Sequence, residues 1–141
     1  MLETRIAPEE VGPLLASLRR AEPRMLFQVF ASRRTPNPSA VKMVAAQTLA
    51  ASDSGATLAK KPELDLLLRL AGTRQIEDAI ERCGYKSGKG RLFLVVASDD
   101  DLASPHLDAL EPKRFRRVEE RTLSRSDLEF VERAALLSAE A

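Results

Sequence analysis

LLLRLAGTRQIEDAIERCGY, residues 66 to 85, sets an apolar run against a Gly-Thr-Arg-Gln break and then resumes at once in helical period. Before the break, Leu64, Leu67, Leu68 and Ala71 share one helical face, with Leu66 and Leu70 beside them. That apolar arc is too wide for a surface helix, so the spacing predicts a helix that begins at Pro62 and crosses the core. Gly72 is its stop, and Thr73 is the expected cap of the next helix. In that next helix Ile76, Ala79, Ile80 and Cys83 fall at i, i+3, i+4 and i+7, which predicts a buried face ending at Gly84.

Working outward, KPELD is preceded by DSGATLAKK, residues 53 to 61, a turn-forming stretch that closes on Lys60 and Lys61. Upstream of it, NPSAVKMVAAQTLAAS opens with Asn37 as N-cap and Pro38 at the first helical position, and the Ala-rich helix runs to about Ser52. RMLFQVFAS, Arg24 to Ser32, has the length and flanks of a strand. Val11, Leu14, Leu15 and Leu18 mark a first amphipathic helix behind Glu9 and Glu10, and a short strand is expected near Glu3 to Ala7. On the other side, the polar GYKSGKG loop leads to RLFLVVAS, Arg91 to Ser98, a continuous apolar run that reads as a central strand. An acidic turn at Asp99, Asp100 and Asp101 and a short helix from Ser104 to Leu110 follow. In the last segment, Ser126 and Glu129 have capping-box spacing before a helix with Leu128, Val131 and Ala135 on one side and Phe130, Ala134 and Leu137 next to it. The expected class is α+β: one helix-rich domain over residues 1 to 141, with a small, mostly antiparallel sheet of two to four strands packed against helices.

The 141 residues carry one cysteine, one histidine and a formal net charge of +1. An internal disulfide framework is therefore excluded, and no run approaches the roughly 18 consecutive apolar residues of a membrane span. With no apolar signal core in MLETRIAPEE, the expectation is a cytoplasmic protein with no membrane association, also nuclear in a eukaryotic source. Charge is unevenly placed: residues 33 to 91 hold 11 basic and 6 acidic residues, and the rest hold 11 and 15. Any polyanion should therefore meet the middle of the chain.

Catalytic chemistry is thin. His106 stands in a short polar segment with Asp108 nearby and reads as a surface or capping residue. Cys83 continues an apolar helix face and reads as core. One Cys and one His make no zinc site, and three consecutive aspartates point in different directions, so no metal or other cofactor is expected. The glycines of GYKSGKG lack phosphate-loop spacing. No catalytic residue is assigned. What stands out is Arg74 beside Gln75 at a helix start. Helix N–H groups, a planar guanidinium and the preceding Lys60 and Lys61 together suit an anion such as a phosphate backbone. The plainer alternative is that Arg74 is a solvated first-turn residue, and that Tyr85 is a half-buried cover over Cys83 and Ile80.

ELDLLLRLAGTRQIEDAIERCGY also resembles the signature region of the small kinase-binding subunit of the KEOPS complex, the TPRKB-type family. The resemblance extends through FQVFASRR with its Ala-rich helix and through the terminal VERAALLSAEA, spanning roughly Leu26 to Ser138; Arg69 stands where the family often has Tyr. It implies a non-catalytic role in making tRNA threonylcarbamoyladenosine. The subunit would bind a small atypical kinase acting as an ATPase, meet the threonylcarbamoyltransferase subunit only through that kinase, and hold the tRNA 3′ CCA end. The residues expected at tRNA are Lys60, Lys61, Gly72, Thr73, Arg74 and Gln75. Those expected at the kinase are Val131, Ala135, Leu136 and Leu137, on a terminal helix apolar on more than one side. Two other classes stay open, a generic RNA-binding module without CCA recognition and a pure protein-interaction module that regulates the kinase.

Overall fold

Strand Leu26–Ser32 (β2) is buried along nearly its whole length, on both faces, and the rest of the molecule is arranged around that fact. The computed structural model describes residues 1–98 and 114–139; the expected acidic turn at Asp99–Asp101, the helix from Ser104 to Leu110 and His106 lie outside them. Among the described residues there are nine elements in the order β1 (Leu2–Thr4), α1 (Pro8–Ala21), β2, α2 (Pro38–Ser54), α3 (Pro62–Ala71), α4 (Ile76–Cys83), β3 (Arg91–Ala97), β4 (Phe115–Arg117) and α5 (Arg125–Ala139). The fold is α+β.

The four strands form one antiparallel sheet in the order β2-β3-β1-β4. β3 is interior, which is why its sequence is a continuous apolar run rather than an alternation. Its partners run from Leu26↔Ala97 to Ser32↔Arg91 on one side and Leu2↔Leu94 to Thr4↔Leu92 on the other. The sheet separates two cores. Val11, Leu15 and Leu18 of α1 pack on Phe27, Val29, Leu92 and Leu94, whereas α2, α3, α4 and α5 cover Leu26, Phe30, Phe93 and Val95 on the opposite face. Because β2 and β3 have apolar residues at both parities, a helix layer on each face is the arrangement that leaves none of them in water.

Capping fixes the helix ends. Asn37 Oδ1 accepts the Ser39 N–H at 3.0 Å as the expected N-cap of α2, and α2 ends at Gly55 with φ 77°. The side-chain amide of Asn37 also donates to the Arg121 and Thr122 carbonyls and to Asp127, so the same buried residue ties the start of α2 to the start of α5. The cap of α5 differs from the expected Ser126/Glu129 pair. Ser124 and Asp127 form the reciprocal box instead, with Asp127 N–H donating to Ser124 Oγ at 3.1 Å and Ser124 N–H to the Asp127 carboxylate at 2.8 Å. Both pairs have the right spacing, and the extra bond from Asn37 favours the earlier one.

α3 crosses the core as expected, with every residue from Asp65 to Leu70 buried. Two of those six are charged. Arg69 Nε donates to Asp65 Oδ1 at 2.7 Å, and its two terminal nitrogens reach the Ala134 carbonyl at 3.1 Å and Ser138 Oγ at 2.9 Å on α5. Asp65 in turn accepts the Thr48 hydroxyl from α2 at 2.7 Å and the Leu58 N–H at 2.8 Å. A single buried pair thus joins α2, α3 and α5.

Candidate nucleic-acid interface

The Gly-Thr-Arg-Gln break is a helix stop followed by a tight turn. Gly72 has φ 71°, the left-handed conformation that a Cβ disfavours, and the Gly72 and Thr73 N–H groups both turn back to the Leu68 carbonyl. Thr73 is not itself the cap of α4. Its hydroxyl accepts the Gln75 N–H at 3.1 Å, which closes a local turn and leaves Gln75 as the N-cap, without a side-chain bond of its own. Arg74 and Gln75 are exposed. The first turn of α4 carries Glu77 and Asp78, whose charges already answer the helix dipole and oppose an anion there.

Lys60 and Lys61 are exposed at the start of α3 and Gly72–Gln75 lie past its end. A helix of ten residues is about 15 Å long, so the expected tRNA residues form two loci rather than one. Gly72 sits instead against α5, where the Arg133 Cδ is 3.0 Å from the position a Cβ would take.

Lys61 belongs to a different constellation. Between α1, β2, the start of α3 and the end of α4 lies a cleft of about 360 Å³ where Lys61, Arg19, Lys86 and Tyr85 converge, with Glu63 on its wall. Local geometry builds it. A Cβ on Gly84 would stand 2.5 Å from the Ile80 carbonyl oxygen, so only glycine lets the chain leave α4 this tightly and bring Tyr85 back toward α1. Tyr85 is half-buried and packs with the α1 core, its hydroxyl near Gly12, rather than serving only as a cover for Cys83 and Ile80. Arg19 donates from one terminal nitrogen to the Phe27 carbonyl at 2.9 Å, while its buried Nε has no hydrogen-bond partner among the described residues. The opposite wall is held by Gln28, buried, which donates to the Glu63 carbonyl at 2.8 Å and accepts the Val29 N–H. Three cations and one aromatic side chain lining a single cleft can take a base by stacking and its phosphates by charge. Neither Arg19 nor Lys86 was singled out from sequence; the legible signal was a Tyr-Lys pair directly after a helix-ending glycine.

The terminal helix needs a correction. Val131 and Leu137, expected at a partner surface, are only 9% and 5% exposed and belong to the chain's own core with Ala134. The apolar surface that α5 leaves outside comes from Leu136 and Leu128, each 50% exposed, with Ala135 beside them. α4 shows the same partial coverage, since Ala79 and Cys83 are buried while Ile76 and Ile80 stay exposed. The Cys83 thiol is pushed up to about 12 by burial, which removes thiolate character at neutral pH. No helix among the described residues is long and apolar enough to cross a membrane. In comparisons with known proteins, no protein-family model and no curated protein matches the chain.

Proposed function

We propose that this chain is a non-catalytic, tRNA-binding and kinase-docking subunit of a KEOPS-type complex, acting in tRNA threonylcarbamoyladenosine synthesis. The observation that carries the reading is the cleft beside Lys61. A single-stranded end is recognised by stacking and by contacts to its sugars and phosphates, and the cleft offers the Tyr85 ring within reach of Arg19, Lys61 and Lys86. The terminal nucleotides of the 3′ CCA tail occupy that cleft, and Gly72, Thr73, Arg74 and Gln75, past the far end of the buried α3, are a second and separate contact with the tRNA. Leu136 and Ala135 on the outer face of α5 dock on the small atypical kinase, which in turn carries the transferase subunit. Catalysis belongs to those partners.

The test is direct binding of tRNA with and without its CCA end. Wild-type protein binds the intact form more tightly, and Tyr85→Ala reduces that preference by roughly 5- to 150-fold, the worth of one base stacked on an aromatic ring. Equal binding of both tRNAs by the wild type sinks tail recognition in favour of a generic RNA-binding module. Co-purification of a stoichiometric kinase complex with no RNA binding at all leaves the pure protein-interaction reading.

A further inference from the structure

Away from the cleft, one end of the sheet is an arginine rim. The register places Ser32 of β2 opposite Arg91 of β3, and Thr4 of β1 opposite both Leu92 and Phe115, so Arg5 falls in line with Arg91 and Arg114 one residue further on. Arg33 and Arg34 continue from β2 past the same end, and Arg116 stands opposite Glu3. With strands about 4.8 Å apart, six arginines from four strands share a rim roughly 14 Å wide. Two of the nearby acids are engaged. Glu3, with a side chain 10% exposed, holds the Arg91 guanidinium at 2.6 Å and lies 3.8 Å from that of Arg116, and Glu10 pairs with Arg114. Arg91 is further fixed by the Thr35 hydroxyl and by the face of Phe93, 5.5 Å from the ring centre. A shallow cavity of about 560 Å³ opens on this rim beside Thr35, where Arg116, Arg117 and Arg121 outnumber the exposed Glu119 and Glu120.

We infer that this rim binds the phosphate backbone of an RNA helical arm, independently of sequence, on the reading that the chain is a tRNA-binding subunit. Every cation in the row is an arginine, whose planar fork matches phosphate oxygens two at a time, and the Arg91 fork is held in place by Glu3. An acidic protein is the weaker fit. Protein interfaces need apolar anchors at their centre, and the exposed large apolar side chains among the described residues, Met43, Ile76, Ile80, Leu128 and Leu136, all lie on helices α2, α4 and α5. Double-stranded RNA offers a dense row of phosphates and asks for no such anchor.

The variant Arg33→Gln/Arg34→Gln/Arg116→Gln removes three exposed charges and leaves Glu3 paired with Arg91; the pair Arg33→Gln/Arg34→Gln alone touches no strand. Binding of tRNA lacking CCA is measured across salt concentrations, with thermal unfolding as the folding control. Each duplex phosphate that is no longer neutralised flattens the plot of log affinity against log salt by about 0.9, so the triple variant drops roughly 2.7 units of slope and the pair roughly 1.8. Both variants keep the ratio of affinities for tRNA with and without CCA, whereas Tyr85→Ala changes that ratio and leaves the slope. Failure of the tail reading therefore shows in the ratio and failure of the rim in the slope. An unchanged slope in folded triple variant, a wild type that binds no CCA-less tRNA at all, or poly-glutamate competing as well as duplex RNA at equal charge overturns the proposal.

Discussion

Replacing Arg69 by Met removes the charge and every hydrogen bond of the guanidinium while roughly keeping its length and apolar stem. Asp65, 0% exposed, then keeps only the Thr48 hydroxyl and the Leu58 N–H as donors and has no countercharge. Breaking a buried pair from one side costs about 3 to 5 kcal/mol, because the remaining carboxylate pays its desolvation without a partner. The Ala134 carbonyl and Ser138 hydroxyl lose a donor as well, but the buried Ala134 carbonyl keeps its place in the α5 helix and the exposed Ser138 hydroxyl can turn to water, so they add little. With a urea slope of about 2 kcal/mol per molar, the unfolding midpoint should fall by roughly 1.5 to 2.5 M, read by far-ultraviolet circular dichroism. Arg69→Lys keeps the charge but reaches either Asp65 or α5, not both, and should lose about half as much. The double variant Asp65→Asn/Arg69→Met should be less damaged than Arg69→Met alone, since no charge is left uncompensated. A midpoint for Arg69→Met within about 0.5 M of wild type, or a double variant worse than the sum of the singles, refutes the view that this pair is the electrostatic joint between three helices.

The two faces of α5 should separate by experiment: Leu137→Ala destabilises by about 2 to 5 kcal/mol in chemical unfolding, whereas Leu136→Arg stays within about 0.5 kcal/mol alone and abolishes co-purification with the kinase. Gly90→Ala should cost at least about 2 kcal/mol and loosen the β2–β3 end in hydrogen exchange, because Gly90 has φ 139° and its Cβ would stand 2.3 Å from the Ser32 carbonyl oxygen. Ser124→Ala should cost about 1 kcal/mol as the loss of an N-cap. The hydrogen bonds from the Ser124 backbone, and then from its hydroxyl and from Asn37, hold the Asp127 carboxyl below its ordinary value of 3.8. A carboxyl depressed in the folded state stabilises above that ordinary value and loses its contribution as pH falls through the lower folded value, so an acid titration of stability should be shallower below pH 4 in Asp127→Asn than in wild type.

Local chemistry alone determined most elements of this chain, but not β4, which no residue pattern marks and which exists through its pairing with β1, nor the bounds of β1, which lies at Leu2–Thr4 rather than near Glu3 to Ala7. Gly72 stops α3 and Asn37-Pro38 starts α2 because those residues answer to their own backbone geometry, and the apolar run from Leu92 to Val96 had to be an interior strand whatever surrounded it. Where two local solutions had equal spacing, the tertiary structure chose. Ser124/Asp127 displaced Ser126/Glu129 once Asn37 could join, and Thr73 closed a turn so that Gln75 became the cap. The same holds for helix faces: the period of α4 promised a buried stripe at Ile76 and Ile80, but the sheet and α3 reach only as far as Ala79 and Cys83. Asp65 and Arg69, four residues apart in an otherwise apolar helix, were a visible pair, yet nothing local says that α2 and α5 would close over them. The site was least legible of all. Periodicity places Lys61 at the start of one helix and Tyr85 after the end of another, and only the packing of α1 and β2 between them brings ring and charge to one cleft.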